Sequence, residues 1–342
     1  MGKLKVGFIG CGEIAVHHAK SLAATPNAQL VVAMDTVESL AKDLAEKYGA
    51  RWTTNADVVL DDPEVDAVYI ATPHSLHASY AVQAAEKGKH VMCEKPIATT
   101  LEDADRMIAA ARAAGTKLSI CYVLRFEKRV EKVRSLVRAG VIGEPIGVFL
   151  SALFYKPESY WQQGWSGRVK TDWRMSKAKS GGGITIMNLS HDIDFVVSYV
   201  LDLRLTRIFS QYGTFTTPVE VEDLLIACGR LSNGAVLHLE ASSCALGGRG
   251  NPSRILGTRG QIILSNPLQL YTRQDFDGLK RDEWNEIKVE QPYDSRAKFI
   301  EEFARAVLEG GDAPIPGEEG RRALEIVCSA YRSGETNRVV EL

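Results

Sequence analysis

The chain has 342 residues, 45% of them hydrophobic and 25% charged, which is the make-up of a globular protein rather than a disordered or fibrous one. Lys and Arg number 41 against 43 Asp and Glu, a formal charge of -2 with no basic run to track a phosphate backbone, so nucleic acid is not an expected partner. No stretch approaches the roughly 18 uninterrupted apolar residues of a membrane span, and the run Val6 to Ile9 is stopped by Gly10 and Glu13, so neither signal peptide nor anchor is expected.

In chain order, residues 4 to 9 read as a short buried strand, followed by a glycine turn and a helical pattern carrying Ile14, Ala15, His18, Ala19 and Leu22. A second strand, Gln29 to Met34, ends at Asp35 and leads into a helix from Val37 to Tyr48. Strands Ala67 to Ala71 and Lys89 to Cys93 enclose an alanine-rich helix, Ser75 to Lys87; helix Leu101 to Ala114 and strand Lys117 to Tyr122 continue the alternation. Short strands separated by helices of this length predict βαβ units in a doubly wound parallel sheet.

After one more helix, Glu127 to Ala139, the rhythm changes. Alternating runs at Ile146 to Phe154, Leu224 to Leu231, Ala235 to Ala241 and Gln261 to Leu264, with a hairpin turn at Ser232-Asn233-Gly234, predict a mainly antiparallel sheet. Helices including Ile184 to Leu201 are expected to cover one face. At roughly 100 to 200 residues per domain, the chain divides into a Rossmann domain, 1–123, and an α+β domain with an open sheet, 124–342. A last helix, 317–333, is placed to return toward the first domain.

Gly10-x-Gly12-x-x-Ala15 lies between the first strand and the first helix. Glycine at the first position permits a tight turn and at the second lets the backbone approach a pyrophosphate, which would sit on the free N–H groups at Glu13 and Ile14. Asp35, 23 residues after Gly12, is placed to accept hydrogen bonds from the adenosine ribose, or to serve only as a helix cap. No Arg or Lys occurs between Asp35 and Lys42, so a 2′-phosphate would meet an uncompensated carboxylate. NAD is therefore expected over NADP.

Six scattered cysteines with no C-x-x-C pair read as buried thiols in a reducing cytoplasm, Cys93 included. His74 and His77 have no third ligand at suitable spacing, so no metal is expected. A cofactor- or substrate-edge role beside the Thr72-Pro73 turn, or a solvated helix start, remains open for them.

Four segments in order, GFIGCGEIA, ATPHSLHA with GKHVMCEKPIA, LRF at Leu124 to Phe126, and WR at Trp173-Arg174 with GGG and HDID, resemble the Gfo/Idh/MocA oxidoreductases across the whole chain. The resemblance implies a Rossmann domain, a second α/β domain, and a substrate held between them. It implies hydride exchange between nicotinamide and a sugar or cyclitol hydroxyl carbon, with Lys95 contacting the substrate hydroxyl and steering the nicotinamide, Glu94 near the nicotinamide ribose, and His191 as acid/base. The chemistry agrees. When the hydride leaves carbon, the hydroxyl proton must also leave, and histidine, or a lysine lowered by burial or a neighbouring positive charge, can take it near neutral pH.

One departure matters. Many relatives carry Asp four residues before the histidine, where this chain has Met187. Asn188, or a group from another loop, is expected to take that role, or the substrate does not need it; Asp194 can pair with His191 or be structural. Tyr122 and Arg125 end the strand leaving the first domain; Arg125 is either a substrate contact or an interdomain ion pair. Trp161, Trp165, Trp173 and Arg174 suit a polyhydroxylated ring, or loop packing and a subunit contact. The expected protein is thus a cytoplasmic NAD-dependent dehydrogenase or reductase of a sugar, sugar acid or cyclitol, forming a homodimer or homotetramer through its open sheets. An NAD-dependent glycosidase and a non-catalytic dinucleotide sensor are the alternatives.

Overall fold

The computed structural model describes residues 2–247 and 252–342 and divides the chain into two units. Unit 1 comprises Met1–Val123, Ser159–Gly181 and Tyr293–Leu324; unit 2 comprises Leu124–Glu158, Gly182–Pro292 and Glu325–Leu342. The stretches 159–181 and 293–324, both assigned by the sequence reading to the second domain, cluster with the first, the second of them carrying the start of the last helix.

Unit 1 contains β1 (Leu4–Ile9), α1 (Glu13–Ala23), β2 (Ala28–Met34), α2 (Glu38–Tyr48), β3 (Arg51–Thr53), α3 (Ala56–Leu60), β4 (Ala67–Ile70), α4 (His77–Glu86), β5 (His90–Cys93), α5 (Leu101–Ala114) and β6 (Leu118–Ile120). The strands form one parallel sheet in the order β3-β2-β1-β4-β5-β6. Such a sheet is covered on both faces, which is why β4 is apolar and buried at every position. The strand order reverses between β1 and β4. Ligands of such sheets bind in the crevice beyond the carboxyl ends of those strands, where Gly10 to Gly12 and Ala71 to Pro73 lie.

Unit 2 begins with α6 (Lys128–Arg138) and β7 (Pro145–Leu153); α7 (Glu158–Gln163) and α8 (Lys177–Ser180) follow in the stretch belonging largely to unit 1. After α9 (Ser190–Asp192) come β8 (Leu205–Gly213), β9 (Leu224–Leu231), β10 (Val236–Ser242), β11 (Arg254–Gly257), β12 (Gly260–Ile263), β13 (Leu268–Thr272) and β14 (Trp284–Ile287). The chain closes with α10 (Ser295–Glu309), α11 (Gly317–Thr336) and β15 (Val340–Glu341). The nine-stranded sheet runs β14-β13-β12-β11-β7-β10-β9-β8-β15, antiparallel except for the pair β7 and β10. Leu225, Ala227 and Leu231 of β9 are buried while Ile226, Cys228 and Arg230 are exposed, the alternation of a sheet covered on one face. The expected fold class is borne out, and among the described residues no helix is long and apolar enough to cross a membrane.

Candidate functional site

The turn after β1 is shaped by two different uses of glycine. Gly10 adopts φ +94°, and a Cβ there would lie 2.6 Å from Ala71 O, so only glycine lets β1 and the end of β4 meet this closely. Gly12 is extended, and the nearest atom to a Cβ there is in Val169, 4.0 Å away, so its backbone faces open space. α1 starts at the next residue with no side-chain cap, leaving the N–H groups of Glu13 and Ile14 for an anion. Asp35 accepts from Cys11 N at 2.8 Å and Val37 N at 2.9 Å, joining the end of β2 to the turn. Each carboxylate oxygen retains a lone pair for a ribose hydroxyl. Across the crevice, Thr72 Oγ1 is buried with no hydrogen-bond partner among the described residues, ahead of Pro73. An open glycine backbone, an uncapped helix and an orphaned hydroxyl fit a dinucleotide.

Glu94, Lys95 and Pro96 leave β5, with the Lys95–Pro96 peptide cis. Glu94 is buried: Oε1 lies 3.0 Å from His18 Nε2 and accepts from Tyr69 Oη at 2.7 Å, and Oε2 accepts from Lys95 N at 3.3 Å. Burial opposes its charge, but these donors and the Lys95 ammonium outweigh it and hold the carboxyl at about 2. Burial lowers the Lys95 ammonium from its ordinary value to about 8, with Glu94 working against the shift and Arg174 with it.

His77 is fully buried, one ring nitrogen 2.8 Å from Pro96 O and the other 3.1 Å from Thr72 O; it sits between the two crevice loops, and as a neutral imidazole it donates to one of these carbonyls. His74 meets Ser180 O at 2.8 Å through Nδ1 and the Trp173 ring edge-on at 4.6 Å. Burial pushes both imidazoles down toward the neutral form. These contacts give both histidines loop-bracing work beside the Thr72-Pro73 turn, and their burial rules out the solvated helix start.

The stretch 159–181 crosses the glycine turn within unit 1. Glu13 accepts from Trp165 N at 3.2 Å and Ser166 N at 2.7 Å, and Arg174 Nη2 lies 3.9 Å from the same carboxylate. Arg168 Nε donates to Cys11 O at 3.3 Å, and Nη1 lies 3.9 Å from Asp43 of α2. A cation therefore stands beside the turn where the local sequence offered none. Arg174 stacks on Trp173 at 4.7 Å, whereas Trp161 is buried and Trp165 is exposed.

In unit 2, Gly182 and Gly183 precede a segment in which i→i+5 turns, Thr185–Leu189 and Ile193–Val200, flank α9. Sequence periodicity predicts an ordinary α-helix here; the wider bonding is a frequent mark of functional helices. A Cβ on Gly183 would collide with Glu222 O, and the buried Glu222 carboxylate accepts from Gly183 N at 2.6 Å, Thr185 N at 2.9 Å and Tyr331 Oη at 2.8 Å. This clamp fixes the start of the helix that carries His191. Met187 is buried, and Asn188 Oδ1 accepts from the buried Lys156 ammonium at 2.6 Å. Asn188, one of the groups the sequence offered in place of the relatives' Asp, is thus an amide oriented by a cation. Asp192 accepts from Ser253 Oγ at 2.9 Å, and burial raises its carboxyl to about 6. Asp194 takes Arg125 Nε at 2.8 Å and Nη2 at 2.7 Å. This buried pair lies within unit 2, so it is not the interdomain pair that sequence reading allowed.

His18, Arg168 and Glu222 were not singled out as functional residues by sequence. Only His18 left a signal, a polar ring on the buried stripe of α1 beside Ala15, Ala19 and Leu22.

The chain is 25% identical over 346 residues to the myo-inositol 2-dehydrogenase of Thermotoga maritima, a match covering 99% of this chain and 98% of that protein. It is 29% identical over 311 residues to the levoglucosan dehydrogenase of Pseudarthrobacter phenanthrenivorans, covering 80% and 75%. Among solved structures, the aldose-aldose oxidoreductase of Caulobacter crescentus, crystallised with glycerol, matches with TM-score 0.86 at 25% identity over 99% of this chain and 100% of that one. Residues 4–122 match the oxidoreductase family with NAD-binding Rossmann fold, and residues 130–263 match the GFO/IDH/MocA C-terminal domain. By these matches, and by the glycine turn and sheet order described above, the chain belongs to the Gfo/Idh/MocA family of NAD-binding oxidoreductases.

Proposed function

We propose that the protein is an NAD-dependent dehydrogenase or reductase acting on a secondary hydroxyl of a sugar, sugar acid or cyclitol, with Lys95 and His191 handling the hydroxyl proton. The single observation that carries this reading is the place of Lys95, directly after the carboxyl end of β5 and next to β4, whose end lines the crevice with the glycine turn; burial lowers its ammonium to about 8. Relatives named for myo-inositol and levoglucosan support the substrate class. NAD, when bound, supplies the hydride acceptor or donor.

The protein's own residues would do the rest. The N–H groups of Glu13 and Ile14 bind the pyrophosphate, and Asp35 binds the adenosine ribose. With its pKa near 8, about one lysine in ten is neutral at pH 7, against about one in three thousand for an unshifted side chain near 10.5. The neutral amine takes or relays the hydroxyl proton during oxidation, and His191 serves as its partner acid/base. Because the shift is downward, the competent amine accumulates as pH rises through 8, so oxidation speeds up over that range and levels off above it.

A screen of sugars, sugar acids and cyclitols for NADH formation identifies the substrate. With that substrate, Lys95→Met and His191→Asn are each expected to cut turnover at least about 10²-fold while NAD affinity changes little. Wild-type turnover in both variants removes the assignment. No NADH with any polyol despite tight NAD binding favours a sensor, and tightly retained NAD with glycoside cleavage favours a glycosidase.

A further inference from the structure

His18 and Glu94 form a buried pairing of a basic and an acidic side chain in unit 1, with side-chain exposures of 2% and 9%, and it adjoins Lys95. The His18 ring stacks on Tyr69 with centroids 4.7 Å apart. Glu94 Oε1 takes both His18 Nε2 and Tyr69 Oη, leaving Oε2 to the Lys95 amide. α1, β4 and the end of β5 thus converge on one carboxylate. Cys121 completes a trio of metal-ligand types with His18 and Glu94. The contacts between His18, Tyr69 and Glu94 are those of hydrogen bonds, and burial keeps the Cys121 thiol protonated, so a hydrogen-bonded clamp explains the cluster without an ion.

We propose that His18, with Tyr69, is a positioning residue for Lys95: it holds the Glu94 carboxylate inward and so sets how strongly that charge acts on the neighbouring ammonium. This rests on the reading that Lys95 handles the proton. A carboxylate acts on an adjacent ammonium as the inverse of their separation. Released from one of its two inward donors, the Glu94 side chain can rotate toward the ammonium and favour its charged form, removing the neutral amine. Other ionisable groups around this pair are Cys93 on β5, Cys121 beyond β6 with Arg296 beside it, Arg174, and His74 and His77. Burial keeps both thiols protonated, while Glu94 and Arg174 are charges that act on Lys95.

The test reads Lys95 itself and needs no substrate. Acylation of the intact protein by acetic anhydride, followed by peptide mass spectrometry across pH 6 to 11, gives the titration of that one lysine. In His18→Leu the midpoint is expected to rise by about one unit, roughly a tenfold loss of labelling at pH 7. His18→Gln keeps an N–H donor at the Nε2 position and should stay near wild type. Tyr69→Phe should move the midpoint in the same direction by less, and it carries the test if His18→Leu does not fold. In a Glu94→Gln background the His18 effect should vanish. A midpoint unmoved in both His18→Leu and Tyr69→Phe overturns the proposal, as does a His18 effect that persists without the Glu94 charge. A role confined to stability would lower the melting temperature and leave the titration in place. If Lys95→Met turns over normally while these midpoints shift, the positioning stands and the catalytic reading of Lys95 falls.

Discussion

Replacing Arg125 by Met asks whether this guanidinium holds unit 2 together or awaits a substrate. Its two donors meet both oxygens of Asp194 at 2.8 and 2.7 Å, with side-chain exposures of 7% and 1%, and its plane lies over the Tyr199 ring at 5.0 Å. Removing one partner strands the other charge in a site nearly closed to water, which costs about 3–5 kcal/mol, whereas replacing both by apolar side chains of similar volume is often close to neutral. Arg125→Met and Asp194→Leu should therefore each destabilise by that amount, and the double variant should recover to within about 1 kcal/mol of wild type, a coupling of several kcal/mol. With an m-value near 2.5 kcal/mol per molar urea, each single change moves the unfolding midpoint down by roughly 1 to 2 M. Urea titrations followed by far-ultraviolet circular dichroism and tryptophan fluorescence read this directly. Two single variants each costing under about 1 kcal/mol, with additive effects, would refute the clamp. A stable but inactive Arg125→Met would return the guanidinium to substrate binding.

Two further expectations concern the cofactor and the assembly. Asp35→Ala should weaken NAD binding and relax discrimination against NADP, because the carboxylate that would repel a 2′-phosphate is gone. Arg168→Ala, which removes the cation beside Cys11 and Asp43, should have the opposite effect on NADP by several-fold; unchanged NADP and NAD dissociation constants in both variants, measured by fluorescence titration, would show that neither side chain reaches the ribose. We also propose that the uncovered face of the nine-stranded sheet, where Phe209 is 39% and Ile226 50% exposed, joins copies of the chain into a homodimer or homotetramer. Light scattering should then report a dimer or tetramer for wild type and a smaller species for Ile226→Asp, and a monomeric wild type rejects the idea.

Local features were legible where short-range sterics or periodicity dictate them. Helix α5 follows from a periodic run opened by Thr100, whose side chain accepts from Asp103 N, and closed by Gly115 in a left-handed conformation. Short elements such as β3 and α3 escaped notice because three to five residues carry too little periodicity. Trp284–Ile287 is an edge strand with alternate positions exposed, so burial leaves little mark on its composition. The resemblance implies Glu94 near the nicotinamide ribose, but nothing in the sequence shows what holds its carboxylate. Its direction is set by His18 and Tyr69, which lie 76 and 25 positions away along the chain.

By itself the sequence determined the parallel sheet, the glycine turn and the family, and it nominated Lys95 and His191 as the groups for the proposed proton transfer. The sheet and the turn depend on residues within about one element of each other, where backbone sterics and side-chain spacing act, and the family on several such local motifs in order. Only the tertiary structure decided that 159–181 crosses the glycine turn, that Arg168 brings a cation there, that Arg125 is taken by Asp194, and that Lys156 orients Asn188. Charges and hydrogen bonds act through space, and folding brings them together across stretches of chain in which no local pattern records their meeting.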